Sequence, residues 1–124
     1  MSNPVAQHDE TVLANITNET SGTNYYYFDM DRYRYFTIQV EIDSGATDTT
    51  TVTVEATADD DTTLANTAHT YQDVTNSWFG ETNFTADNML ERDTPCAVKW
   101  VRVKTVTAGG NNDADYILYL KRMY

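Results

Sequence analysis

The chain has 124 residues, with eight Lys and Arg against nineteen Asp and Glu, for a formal net charge of −11. That length gives one domain with a two-layer core and excludes two independent cores. The acidity repels nucleic acid and anionic lipid and argues against both as partners, while 40% hydrophobic residues, with nine Tyr, four Phe and two Trp, argue against disorder.

No apolar run approaches the ~18 residues that span a bilayer. Met1-Ser2-Asn3-Pro4-Val5-Ala6 has neither the basic nor the apolar region of a secretory signal. Cys96 is the single cysteine, which precludes an intrachain disulfide and fits assembly in a reducing cytoplasm. Asn15-Ile16-Thr17, Asn18-Glu19-Thr20 and Asn83-Phe84-Thr85 match the glycosylation acceptor pattern. In an unsecreted chain they reflect only the abundance of Asn and Thr.

In chain order, residues 11–16 and 25–28 have weak strand character. Tyr35-Phe36-Thr37-Ile38-Gln39-Val40-Glu41-Ile42 alternates with period two, Phe36, Ile38, Val40 and Ile42 on one face, as a strand buried on one side requires. Asp43-Ser44-Gly45-Ala46-Thr47-Asp48 is turn chemistry, and residues 51–57 alternate again with Val52, Val54 and Ala56 inward. The two segments are expected to form a hairpin. Tyr71-Gln72-Asp73-Val74-Thr75-Asn76-Ser77-Trp78-Phe79-Gly80 does not alternate; it predicts a helical turn capped by Thr75 and ended by Gly80, with Trp78 and Phe79 plugging one end of the core. Residues 83–90 form another weak strand, and Pro95 lies in a turn.

Val98-Lys99-Trp100-Val101-Arg102-Val103-Lys104-Thr105-Val106 sets Val101 and Val103 with Lys99, and Trp100 with Arg102 and Lys104. Either a neighbour partly covers the second face or a bulge shifts the phase. Ala108-Gly109-Gly110-Asn111-Asn112-Asp113 is a loop, and residues 115–123 complete a second expected hairpin, leaving the C-terminus tied into a sheet. The pattern is all-β: a single-domain antiparallel β-sandwich of jelly-roll type. It has about seven or eight strands and at most one short helical turn near residues 75–79.

Catalytic and metal signatures are weak. Asp59-Asp60-Asp61, Asp29-Met30-Asp31 and Asn111-Asn112-Asp113-Ala114-Asp115 offer oxygens to Ca²⁺, yet none has the spaced loop with central Gly and bidentate Glu; solvated turns are the preferred reading, and no cofactor is expected. His8 and His69 lack zinc-ligand spacing, Cys96 has no neighbouring base and reads as a buried or interfacial thiol, and no phosphate loop or nucleophile elbow occurs. Nineteen acids supply so many carboxylate pairs that a glycoside-hydrolase reading has no specificity. An enzyme is not expected.

Surface features carry more. Residues 41–91 hold eleven acids and no Lys or Arg, whereas the 33 residues after them hold six of the eight bases against three acids. Alternation sets Tyr25 and Tyr27 on one face and Tyr26 and Phe28 on the other, so one pair is core and the other is either covered or presented outward. Arg32 and Arg34 share a face if their strand begins early, and Arg102 and Lys104 repeat the spacing. Tyr25, Tyr27, Arg32, Arg34, Arg102 and Lys104 are the candidate interface residues. The basic pairs meet the acidic segment either within one monomer or in another copy.

Several of these features together resemble small β-rich virion proteins of tailed bacteriophages. They are the alternating segments 36–42 and 52–57, Tyr71-Gln72-Asp73-Val74-Thr75 running into Trp78-Phe79-Gly80, Lys99-Trp100-Val101-Arg102-Val103-Lys104, and the ending Asp115-Tyr116-Ile117-Leu118-Tyr119-Leu120-Lys121-Arg122-Met123-Tyr124. The similarity spans roughly residues 33–124 and carries over no functional residue. It implies a decoration, or cement, protein made in the host cytoplasm, residing on the capsid surface of the virion as a trimer or dimer. Its partners would be the major capsid protein and copies of itself. It also implies that polar residues 1–24 form an N-terminal arm that orders on docking, with the sandwich domain over 25–124. A tail or adaptor component fits the same resemblance. A carbohydrate- or receptor-binding sandwich, with exposed aromatics as platforms and Ca²⁺ in acidic loops, is the alternative from another class.

Overall fold

The period-two alternation is retained strand by strand in a computed structural model of the chain, which describes residues 8–59, 69–95 and 97–124. The elements are β1 (His8–Glu19), β2 (Gly22–Asp29), β3 (Tyr35–Ile42), β4 (Thr49–Thr57), β5 (Gln72–Asp73), α1 (Thr75–Phe79), β6 (Asn88–Arg92), β7 (Trp100–Ala108) and β8 (Ala114–Met123). Phe36, Ile38 and Val40 of β3 are buried while Thr37 and Gln39 between them are half-buried, and β4 and β8 repeat the rhythm.

Pairing is antiparallel and nested: β1 with β8, β2 with β7, β3 with β6, β4 with β5. That is one long ribbon bent back between β4 and β5. Wrapping the ribbon adds the pairs β3–β8 and β4–β7 and produces two four-stranded sheets, β1-β8-β3-β6 and β2-β7-β4-β5. This arrangement is the eight-stranded jelly roll. All the connections between described strands except β4 to β5 therefore cross from one sheet to the other.

Both expected hairpins are corrected by this topology. β3 and β4 lie in different sheets and face each other across the core, as do β7 and β8. Alternation fixes which face of a strand turns inward but not which strand lies beside it, so a hairpin and an inter-sheet arch leave the same pattern. The division at residue 25 also shifts. From His8 onward the expected arm belongs to the sandwich, β1 pairing along β8 and β2 beginning at Gly22. The edge position of β1 allows its polar outward residues.

The core is formed by the inward rows of both sheets, including Phe36, Ile38, Val40, Leu118 and Leu120 from one and Phe28, Val52, Val54, Val101 and Val103 from the other. Each such side chain contributes ~1.5–3 kcal/mol on burial. α1 closes one end. Trp78 and Phe79 pack on Phe36, with centroids 6.0 and 6.3 Å away, and Arg92 lies 4.7 Å over the Trp78 ring. Gly80 ends the helix at φ 81°, as anticipated. The cap differs: Val74 is the N-cap, and Asp73 accepts the Thr75 N–H at 2.9 Å. The Thr75 hydroxyl is fully buried and instead ties the helix to β4, accepting from Val54 N–H at 2.8 Å and donating to Val54 C=O at 3.2 Å.

Arches leave main-chain donors unpaired, and carboxylates take them up. Asp48, 5% exposed, accepts the N–H groups of Asn111 at 3.1 Å and Asn112 at 2.9 Å. Asp113 returns the contact, accepting the Thr47 N–H and hydroxyl at 2.9 and 2.6 Å and the Asp48 N–H at 2.9 Å. The two arches are thereby lashed together. Gly109, at φ 129°, is required here because a Cβ would run into the Asp48 carboxylate. Within the core, buried Tyr116 donates its hydroxyl proton to Glu19 and lies 2.7 Å from the Tyr26 hydroxyl and 3.0 Å from that of Thr105. Burial, reinforced by Tyr26, raises the Tyr116 pKa above the ordinary tyrosine value.

Replacing Asp48 by Ala strands two arch N–H groups and should lower stability by about 1–3 kcal/mol in urea unfolding. The donors from Thr47 and Asp48 hold the Asp113 carboxyl below its ordinary value. Its contribution is thus complete above the unfolded carboxylate range, about pH 4, and is lost as pH falls through the lower folded value. Urea midpoints below that pH should fall more steeply for the wild type than for Asp113→Ala.

Candidate interaction face

The register of β2 on β7 sets Tyr25 opposite Lys104 and Tyr27 opposite Arg102. Four of the candidate interface residues thus form one block on the outer face of the β2-β7-β4-β5 sheet. Two residues that the sequence did not single out complete it. Glu55 lies opposite Arg102 on β4, and Tyr71 immediately precedes β5.

Arg102 is the centre of the block. Its Nε donates to Glu55 Oε1 at 2.5 Å, and its guanidinium carbon lies 4.3 Å from the Tyr25 ring centroid and 4.2 Å from that of Tyr71. The guanidinium is held by two aromatic rings and anchored by one carboxylate. Tyr27 meets Tyr71 edge to face at 6.0 Å and lies 6.4 Å from Tyr25. Burial acts to lower the Arg102 pKa, but the hydrogen bonds that Arg102 donates to Glu55 and Tyr27 outweigh it and hold the group above its ordinary value. Burial, and then the neighbouring Tyr27, pushes Tyr71 up to about 12. Tyr25 remains 39% exposed, so the block presents aromatic surface beside a cation whose rotamer is already fixed.

The uneven phase at the start of β7 has two causes, the cover over Trp100 and an irregularity at Lys99 just before the strand, whose N–H donates to Thr57 C=O at 3.0 Å although Thr57 is in register with Trp100. Pairing of β7 runs without a break on both sides, and Trp100 lies against buried His69, rings 6.3 Å apart and 27° from parallel. His69 Nδ1 lies 2.9 Å from Asp59 Oδ2. Of the charge alternatives left open by the sequence, Arg102 takes the intramolecular one. Much of the acidic segment is likewise engaged locally: Asp43 accepts the Gly45 N–H and Asp87 accepts the Ile42 N–H, both at 2.8 Å.

Arg32 and Arg34 are not brought to this face. β3 begins at Tyr35, so Arg32 lies exposed in the turn closed by the Tyr33 N–H to Met30 C=O bond at 3.1 Å, and Arg34 lies exposed just after it, its N–H donating to Met123 C=O at 2.9 Å; neither has an ion-pair partner among the described residues. The turn acid Asp31 pairs with Lys99 at 3.0 Å, and Asp29 lies 3.5 Å from Arg122. Among the described residues, no three His, Cys, Asp or Glu side chains converge on a point suited to a metal ion. Cys96, Asp60 and Asp61 lie outside the described residues.

The opposite sheet also presents an outer row. Val12, Tyr119, Gln39 and Met89 are successive cross-strand partners over β1, β8, β3 and β6, with Val12 55% and Met89 49% exposed. Tyr71 escaped the sequence reading because β5 is two residues long and leaves no periodic signal. Glu55 was legible as outward-facing, but its partner depends on the β4–β7 register. No family model, no curated protein and no solved structure matches the chain.

Replacing Arg102 by Ala should leave a folded protein destabilised by about 1–3 kcal/mol in urea, through loss of both ring contacts and the stranded Glu55. For Tyr71, the folded chain keeps its proton between about pH 10, where the unfolded tyrosine ionises, and about 12. Stability should therefore decline as pH rises across that interval, and Tyr71→Phe should flatten part of the decline.

Proposed function

We propose that this chain is a non-enzymatic structural protein of a virion. In this reading it is a capsid decoration, or cement, protein that docks on the outside of a phage head and stabilises it through contacts between subunits. The observation that carries the reading is the outward block of Tyr25, Tyr27 and Tyr71 around the fixed Arg102 guanidinium. Tyr and Arg are the residue types that concentrate binding energy in protein interfaces, because they bury large area at small conformational cost. The jelly-roll topology supports the same reading, since this architecture builds capsid and lectin domains. So does the resemblance of residues 33–124 to small phage virion proteins. The partners are the major capsid protein and other copies of the chain, and repetition over a lattice multiplies modest contacts by avidity.

The test uses heads of the phage that carries the chain, stripped of it. Adding back the purified protein should restore resistance to heat and osmotic shock. Tyr25→Ala/Tyr27→Ala, folded by circular dichroism, should bind the heads at least about tenfold more weakly. Heads equally resistant with and without the protein would overturn the proposal. Specific, chelator-sensitive signals on a glycan array would replace it with the receptor-binding alternative.

A further inference from the structure

Two sheets have four edges, here β1, β6, β2 and β5. An edge strand that is long, regular and weakly charged is a template for another strand, and native proteins blunt such edges. Three of these are blunted. β5 has two residues and β6 five, while β1 slips register against β8 at two places and includes Asp9, Glu10 and Glu19 in its sequence. β2 is different. Its eight residues pair with β7 without a break from Gly22 opposite Thr107 to Asp29 opposite Trp100. It contains no proline, one charged residue, Asp29, and the run Tyr25-Tyr26-Tyr27-Phe28.

The hydrogen-bond phase of β2 follows from its end. Met30 N–H donates to Lys99 C=O at 2.8 Å, so Asp29 and Trp100 form a non-bonded pair, and Phe28, Tyr26 and Asn24 turn their main-chain groups to β7. Thr23, Tyr25, Tyr27 and Asp29 turn theirs to the edge, where no described strand pairs with them. The Asp29 carbonyl is capped there by Arg122 at 2.8 Å, which leaves a stretch centred on Tyr25.

We propose that this open edge of β2 pairs antiparallel with β2 of a second copy about a two-fold axis at Tyr25. The pairing makes a continuous sheet across the two molecules and deepens the self-association contained in the proposed function. Tyr25 meets Tyr25 of the second copy, and Thr23 meets its Tyr27, with two main-chain hydrogen bonds at each pair. The register is self-complementary, as a closed two-fold contact demands, and opposes no like charges along β2. It also selects β2 as the strand through which copies of a chain of charge −11 can approach with least repulsion. Lys104 does not oppose this. It lies one strand back in each copy, so the two lysines are separated by three strand spacings, about 14 Å, beyond the screening length of about 8 Å at physiological salt.

Amide exchange by NMR over a concentration series, together with sedimentation, tests the pairing. The amides of Thr23, Tyr25 and Tyr27 should gain protection as dimer forms, while those of Asn24, Tyr26 and Phe28 are protected throughout. Thr23→Pro removes an N–H that β7 does not use, and should weaken dimerisation by at least about tenfold; if this variant fails to fold, exchange in the wild type decides alone. A wild-type chain that stays monomeric over the series would overturn the inference. So would a dimer whose Thr23, Tyr25 and Tyr27 amides exchange freely, or a folded Thr23→Pro that dimerises as well as the wild type. A monomer that still protects stripped heads would overturn the β2 pairing and leave the decoration role standing.

Discussion

The strands β3, β4, β7 and β8 each turn a largely apolar row to one side, and that restriction organises the molecule. Such strands reach a dry core only by setting two sheets face to face. Within the nested ribbon the strand pair nearest in sequence is β4 with β5, where Ala56 lies opposite Gln72. Its outermost pair, β1 with β8, joins residues more than a hundred positions apart, such as His8 and Met123. A core assembled this way consists almost wholly of non-local contacts, which belong to slow-folding topologies.

The same constraint explains much of the acidity. A chain that must arch between sheets at nearly every connection exposes main-chain N–H groups where no ladder can receive them. Asp48, Asp73, Asp87, Asp113 and Asp115 each accept such a group. These carboxylates are part of the frame. A composition that looks directed at a partner is therefore partly a consequence of topology, and Glu55, bound to Arg102, extends the point to the strands.

With the inner faces committed to packing, the outer faces and edges remain at the surface. The tyrosines around Arg102 and the uncapped stretch of β2 are adjacent, since Tyr25 and Tyr27 belong to both. Side chains projecting from the sheet and main-chain groups lying in its plane point in perpendicular directions. One short strand can thus offer a docking face and a pairing edge together without either competing for the same atoms.

The sequence by itself determined the all-β class, the inward rows of β3 and β4, and the helical turn ended by Gly80. It also determined the separation of Tyr25 and Tyr27 from Tyr26 and Phe28. All of these follow from period-two alternation or from the conformational freedom of one residue, and both are local. Only the tertiary structure decided that β3 and β4 arch across the core instead of forming a hairpin, that residues from His8 onward join the sandwich, and that Glu55 and Tyr71 converge on Arg102 while Arg32 and Arg34 stay apart. The physical reason is that alternation specifies a direction for each side chain but no neighbour. Neighbours are set by strand order and register, which emerge when the whole ribbon closes on its core.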